Sequence, residues 1–146
     1  MEKAKRGLKD MSIVILIFAI FDFIKAVVDI FLIEFNPETL PEGATEGVIL
    51  AARIILCVIG FIVLAPQLYV GIKGIKLSNA PKSGKAHIVW ATILAVLAIL
   101  AVISPIQELI NKGDVIGNVN TIANTVLEAC IYVLYIGYAK ELNKAA

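Results

Sequence analysis

The chain has 146 residues, of which 60% are hydrophobic and 17% charged, with a net charge of +1 and a mean hydropathy of +0.91. A soluble core of this size would leave much of that apolar surface in water, so the composition excludes a soluble globular domain. The basic residues form short clusters without interleaved aromatic residues, which excludes a nucleic-acid-binding surface.

The first predicted element is an apolar run that follows a basic head. Residues 1–10 contain four basic side chains, and residues 11–35 are long enough to cross a hydrocarbon core of ~30 Å as a helix. A charged head before an apolar run is also typical of a signal peptide, but no small-x-small cleavage site follows. We therefore predict a transmembrane helix over residues 11–35 and an acidic loop over residues 36–47.

Three further apolar runs predict three further transmembrane helices. The second covers residues 48–73, where Pro66 is expected to kink the helix. The third covers residues 87–110 and is predicted to break at residues 104–108. The fourth covers residues 115–140, and polar turns over residues 78–85 and 111–114 connect the helices. The predicted fold is an all-α integral membrane bundle of four transmembrane helices in a single domain, residues 1–146.

The basic residues also predict the orientation of the bundle. The head, the 78–85 turn with its flanks and the tail lie on one side of the membrane, and the other two loops lie on the opposite side. The first side contains ten basic residues, namely Lys3, Lys5, Arg6, Lys9, Lys73, Lys76, Lys82, Lys85, Lys140 and Lys144. The second side contains Lys112 alone. Because Lys and Arg are enriched in cytoplasmic loops, both termini are predicted to be cytoplasmic, and the expected location is the bacterial cytoplasmic membrane.

Five charged residues lie inside the predicted spans. In the first span Asp22, Lys25 and Asp29 are separated by steps of three and four, which place them on one face of a helix. A charge at bilayer depth costs roughly 2.5–3.5 kcal/mol, so each one requires a partner or a function. Arg53 and Glu128 lie at matching depths in two other spans. We therefore predict the pairs Asp29–Arg53 and Lys25–Glu128, with one surplus acid.

The fourth span adds uncharged polar side chains to this predicted cluster. Asn120 and Asn124 precede Glu128 at steps of four, and Thr121 and Thr125 lie beside them. Steps of four align these side chains on one helix face, which leads from the non-cytoplasmic side towards Glu128.

Two functions are compatible with these features. The first is a non-enzymatic interaction or scaffold module, or a subunit of a complex, held together by an intramembrane salt-bridge clasp. Its partners are the lipid bilayer and either a second copy or another membrane protein. The alternative is a small transporter or channel subunit that moves a cation or proton through the charged cluster. The sequence contains no nucleotide-binding, metal-binding or nucleophile–base motif, so neither enzyme activity nor a cofactor is expected.

Overall fold

The computed structural model describes residues 2–32, 46–79, 85–112 and 115–144, and the described secondary structure is helical. Five helices follow one another: α1 (Glu2–Leu32), α2 (Glu46–Asn79), α3 (Ala86–Ala101), α4 (Ile103–Lys112) and α5 (Val115–Lys144). The predicted all-α class is therefore confirmed.

Four stretches of the described chain are long and apolar enough to cross a membrane, as predicted. They are α1, α2, the stretch Ala86–Asn111 that contains α3 and most of α4, and residues Val119–Lys144 of α5. The helices extend beyond the predicted spans, because the basic head is already helical from Glu2 and the tail is helical to Lys144. Of the predicted loop at 36–47, residues 36–45 lie outside the described residues, whereas residues 46–47 already belong to α2. The turn residues 80–84 and 113–114 and residues 33–35 of the first span also lie outside the described residues.

The third span is broken at Val102, two residues before the predicted break at 104–108. The Val102 N–H donates to the Ile99 carbonyl at 3.3 Å, which tightens the last turn of α3. Pro105 explains why the helix breaks at Val102. Proline has no N–H to donate to the carbonyl four residues earlier, and its ring crowds that carbonyl. The carbonyl belongs to Ala101, the last residue of α3. Pro66, by contrast, lies inside the continuous helix α2.

The described chain divides into two compact units, of which the first contains residues 1–16 and 66–146. In this unit α3 packs along α5, and α4 also contacts α5. The buried face of α3 consists of Ala91, Leu94, Ala95 and Ala98 beside His87. Small side chains allow helix backbones to approach closely in lipid, where no hydrophobic effect drives helices together.

Two glycines of α2 allow a second close approach within the first unit. A Cβ atom on Gly71 would lie 2.6 Å from Leu16 Cγ, and one on Gly74 would collide with Ser12 Oγ and with the Tyr135 ring. Gly60 has open space at the same position. Gly71 and Gly74 therefore permit close helix packing, whereas Gly60 does not serve this purpose.

The second unit contains residues 17–65. The rings of Phe23 in α1 and Phe61 in α2 meet edge to face, with centroids 5.9 Å apart. Most other large apolar side chains of this unit are exposed, among them Phe21, Ile54, Ile62 and Val63. Such a surface is typical of helices that face lipid.

Substituting Gly74 with alanine tests the close approach of α2. We expect Gly74→Ala to lower the free energy of unfolding by about 1–3 kcal/mol, because the added methyl group overpacks the contact with Ser12 and Tyr135. The measurement is thermal or denaturant unfolding in detergent. The matched control is Gly60→Ala in the same helix, which should leave stability unchanged or raise it. Equal effects of the two substitutions would contradict the assigned packing.

Candidate functional site

The side chains of Asp22, Lys25 and Asp29 form a charged stripe on the outer surface of α1. All three are exposed, and none makes a hydrogen bond or salt bridge to another residue that the structure describes. On either side along the helix lie exposed apolar residues, such as Ile24 and Val28. The stripe therefore exposes three charges within one of the most apolar runs of the chain.

The packed face of α1 in the second unit is a different one. It consists of half-buried side chains at Phe23, Ala26, Val27 and Ile30. At 3.6 residues per turn, this face and the charged stripe are centred about 120° apart around the helix. The packing of Phe23 against Phe61 thus fixes the rotation of α1 with the stripe directed elsewhere.

Arg53 of α2 is half-buried, and its guanidinium lies over the ring of Phe31 in α1, 5.8 Å from the ring centroid. A cation over an aromatic face is stabilised by about 0.5–2 kcal/mol, most strongly where water is excluded. Among the described residues the structure reports no intramembrane salt bridge. The pairs Asp29–Arg53 and Lys25–Glu128, and with them the clasp, therefore stay predictions.

Glu128 lies near the middle of α5, is half-buried, and has hydrogen-bond donors on two helices. The Gln67 amide of α2 donates to Glu128 Oε1 at 3.2 Å, and the Tyr132 hydroxyl, one turn further along α5, donates to the same oxygen at 3.3 Å. All three residues belong to the first unit. These two bonds tie the Glu128 carboxyl to α2 and to the next turn of α5.

The polar side chains ahead of Glu128 are largely exposed. Asn120, Thr121 and Asn124 are exposed, and Thr125 donates its hydroxyl proton to the Thr121 carbonyl at 2.8 Å. This bond to the carbonyl four residues earlier is a common way for threonine to satisfy its hydroxyl in an apolar helix. Within the predicted cluster, the structure therefore joins Thr121 and Thr125 by a hydrogen bond along α5.

A second polar contact joins three helices of the first unit. Tyr135 of α5 donates its hydroxyl proton to the Val70 carbonyl of α2 at 3.1 Å. His87 Nδ1 of α3 lies 2.9 Å from the same hydroxyl oxygen, and both side chains are buried. Because the tyrosine has one proton to donate, Nδ1 carries the proton of the second bond. His87 is therefore a buried structural residue of the first unit.

Sequence reasoning also missed Gln67 as the donor to Glu128. The sequence does contain a feature that could have identified this residue. Gln67 is the one amide side chain of α2 ahead of Asn79, and it follows Pro66 directly. An amide inside an apolar span needs a polar partner. Tyr132, four residues after Glu128, could be found by helical spacing alone.

Metal binding has no support among the described residues, which contain no group of three or more His, Cys, Asp or Glu side chains able to hold an ion. Comparison with protein-family models, curated proteins and solved structures gives no match. The charged stripe and Glu128 are therefore the features of the chain that bear on its function.

Removing the Tyr135 hydroxyl tests the three-helix contact. Tyr135→Phe should lower the free energy of unfolding by about 1–3 kcal/mol, because buried His87 Nδ1 then loses its hydrogen-bond partner. Tyr138→Phe is the control, since that ring packs against Gly7 and its hydroxyl makes no hydrogen bond to a described residue. Unfolding in detergent measures both, and a Tyr135→Phe protein as stable as the control would contradict the assignment.

Proposed function

We propose that this chain is a non-enzymatic multi-pass membrane protein that serves as an interaction module or as a subunit of a complex. Its contact surface is the charged stripe of α1. The observation that supports the proposal is the exposure of Asp22, Lys25 and Asp29 on one face of α1.

The physical reason is the cost of charge in hydrocarbon. Each of the three side chains costs roughly 2.5–3.5 kcal/mol at the centre of a spanning helix when lipid surrounds it. A protein partner removes part of that cost by supplying opposite charges and hydrogen bonds. Polar contacts of this kind hold helices together in lipid, so the same feature that is costly in isolation drives specific association.

The orientation follows the distribution of basic residues. We propose that both termini are cytoplasmic, because ten Lys and Arg residues fall on one side of the four spans and one on the other. The location proposed for the chain is the bacterial cytoplasmic membrane. This orientation directs the amino-terminal end of α1 towards the cytoplasm in every copy.

A second candidate function is the movement of a cation or proton through the membrane, and Glu128 favours it. A half-buried carboxylate in the middle of a spanning helix is the group that proton and cation pathways use. However, Glu128 is already hydrogen-bonded to Gln67 and Tyr132, which is also the arrangement of a carboxylate that joins two helices. The interaction module is therefore the preferred function.

Ion flux distinguishes these two functions. Liposomes that contain the parent protein should release protons and monovalent cations no faster than empty liposomes, because an interaction module provides no path for ions. The Glu128→Gln and Asp22→Asn variants provide the comparison. Flux in the parent that disappears in Glu128→Gln protein of parental stability would contradict the interaction proposal and support transport.

Neutralising the stripe tests whether its charges serve the chain itself. The combined variant Asp22→Asn, Lys25→Gln and Asp29→Asn should unfold at the parental temperature or above in dilute detergent, because these exposed side chains make no hydrogen bond or ion pair with the rest of the described chain. Glu128→Gln is the comparison and should lose about 0.6–1.7 kcal/mol through its weakened contacts with Gln67 and Tyr132. A large loss of stability in the neutral-stripe variant would indicate an internal clasp and contradict the proposed contact surface.

A further inference from the structure

A groove opens between the start of α3 and the end of α5, within the first unit. Its volume is about 400 Å³, within the roughly 300–1,000 Å³ that small-molecule sites occupy. One apolar stretch able to cross a membrane begins at Ala86 and another ends at Lys144, so the groove lies at a boundary between membrane and water. The residues that line it are Lys85, Ile88, Val89, Lys140, Asn143 and Lys144.

The charge of this groove has one sign. The described residues that line it include three lysines and no acid, and these lysines make no ion pair with a described residue. Glu141, on the same turn of α5 as Lys140, lies outside the lining. Three exposed ammonium groups at one groove attract an anion, and lysine binds phosphate as a point charge.

The groove also has an apolar part, on α3. Val89 is 56% exposed, and Ile88 beside it is half-buried. Trp90 follows and is exposed, and tryptophan is enriched at the level of lipid headgroups. Asn143 of α5 is half-buried, and its amide makes no hydrogen bond to a described residue. A matching ligand therefore has negative charge and hydrogen-bond acceptors at one end and hydrocarbon at the other.

We infer that this groove, the lysine groove, binds the headgroup of an anionic phospholipid. The phosphodiester lies against Lys85, Lys140 and Lys144, and the beginning of an acyl chain lies along Ile88 and Val89. The location favours a lipid as the source of the phosphate, because basic pockets between spanning helices at the membrane surface bind anionic headgroups. The lysine groove and the charged stripe are different surfaces, so the inference does not depend on the proposed interaction function.

A second groove of the first unit provides a comparison. It lies between the head of α1 and the end of α2 and has a volume of about 600 Å³. Its charged lining residues are Glu2, Lys5, Arg6, Lys9 and Asp10. Three basic and two acidic side chains leave a net charge of +1, against +3 in the lysine groove. An anionic headgroup is therefore expected to bind preferentially in the lysine groove.

Neutralising each groove separately tests the inference. The lysine-groove variant combines Lys85→Gln, Lys140→Gln and Lys144→Gln, and the control variant replaces the three basic residues of the second groove with glutamine. Both variants lose three positive charges, so they differ in the place of the change and not in its size. Replacing the three lysines of the lysine groove with arginine gives a further variant that keeps the charge.

Lipid binding is measured by native mass spectrometry of the purified full chain in detergent, titrated with phosphatidylglycerol or phosphatidylcholine. Half-occupancy of the parent should need less phosphatidylglycerol than phosphatidylcholine, which carries a phosphate but no net charge. The lysine-groove variant should need at least about tenfold more phosphatidylglycerol than the parent. The control and arginine variants should stay within about threefold of the parent.

Circular dichroism checks that each variant is helical, and Lys140→Gln alone, with about a threefold loss, replaces the triple variant should the latter not fold. Equal binding of the two lipids, or equal losses in the lysine-groove and control variants, would overturn the inference. A loss in the arginine variant as large as in the glutamine variant would also contradict it. Inorganic phosphate at the concentration of the lipid should not displace phosphatidylglycerol, and displacement would overturn the lipid as the ligand.

Discussion

The cost of a charge in hydrocarbon is the constraint on which the rest of the structure depends. The chain is apolar enough to cross the membrane four times, and its first helix nevertheless carries Asp22, Lys25 and Asp29 on one exposed face. Such charges are costly in hydrocarbon unless other polar groups solvate them, which is why a protein partner is proposed. The packing of Phe23 against Phe61 sets the rotation of α1 and directs the stripe away from α2.

In the first unit, by contrast, hydrogen bonds between helices pair several polar groups. Tyr135 bonds to Val70 and His87, and Glu128 accepts from Gln67 and Tyr132, so two hydrogen-bonded contacts join neighbouring helices. Gly74 brings α2 close to Ser12, and the alanines of α3 form its buried face in the packing against α5. Close backbones and satisfied polar groups provide the stability that the hydrophobic effect does not provide between helices in lipid.

The sequence was sufficient to predict the number of spans, because apolar length is a property of each segment alone. The stripe could also be predicted, since steps of three and four depend only on helical geometry. Hydrogen-bond partners on different helices could not be predicted, because they depend on how each helix is rotated and how far it extends. His87 illustrates this limit. Its place near the start of α3 can be read from the sequence, but the rotation of α3 that directs its ring towards Tyr135 cannot. The same limit applies to Gln67, whose bond to Glu128 no spacing within one helix predicts.

Crosslinking beside the charged stripe tests the proposed contact surface most directly, because it leaves all three charges in place. A photoreactive side chain is introduced at Leu32, which is exposed three residues after Asp29, or at Phe31, whose ring lies against Arg53 of α2. In the membrane of the producing cell, the probe at Leu32 should form a discrete adduct with another protein chain, and the probe at Phe31 should form none. Equal adducts at the two positions, or none at Leu32, would contradict a protein contact surface along the charged stripe.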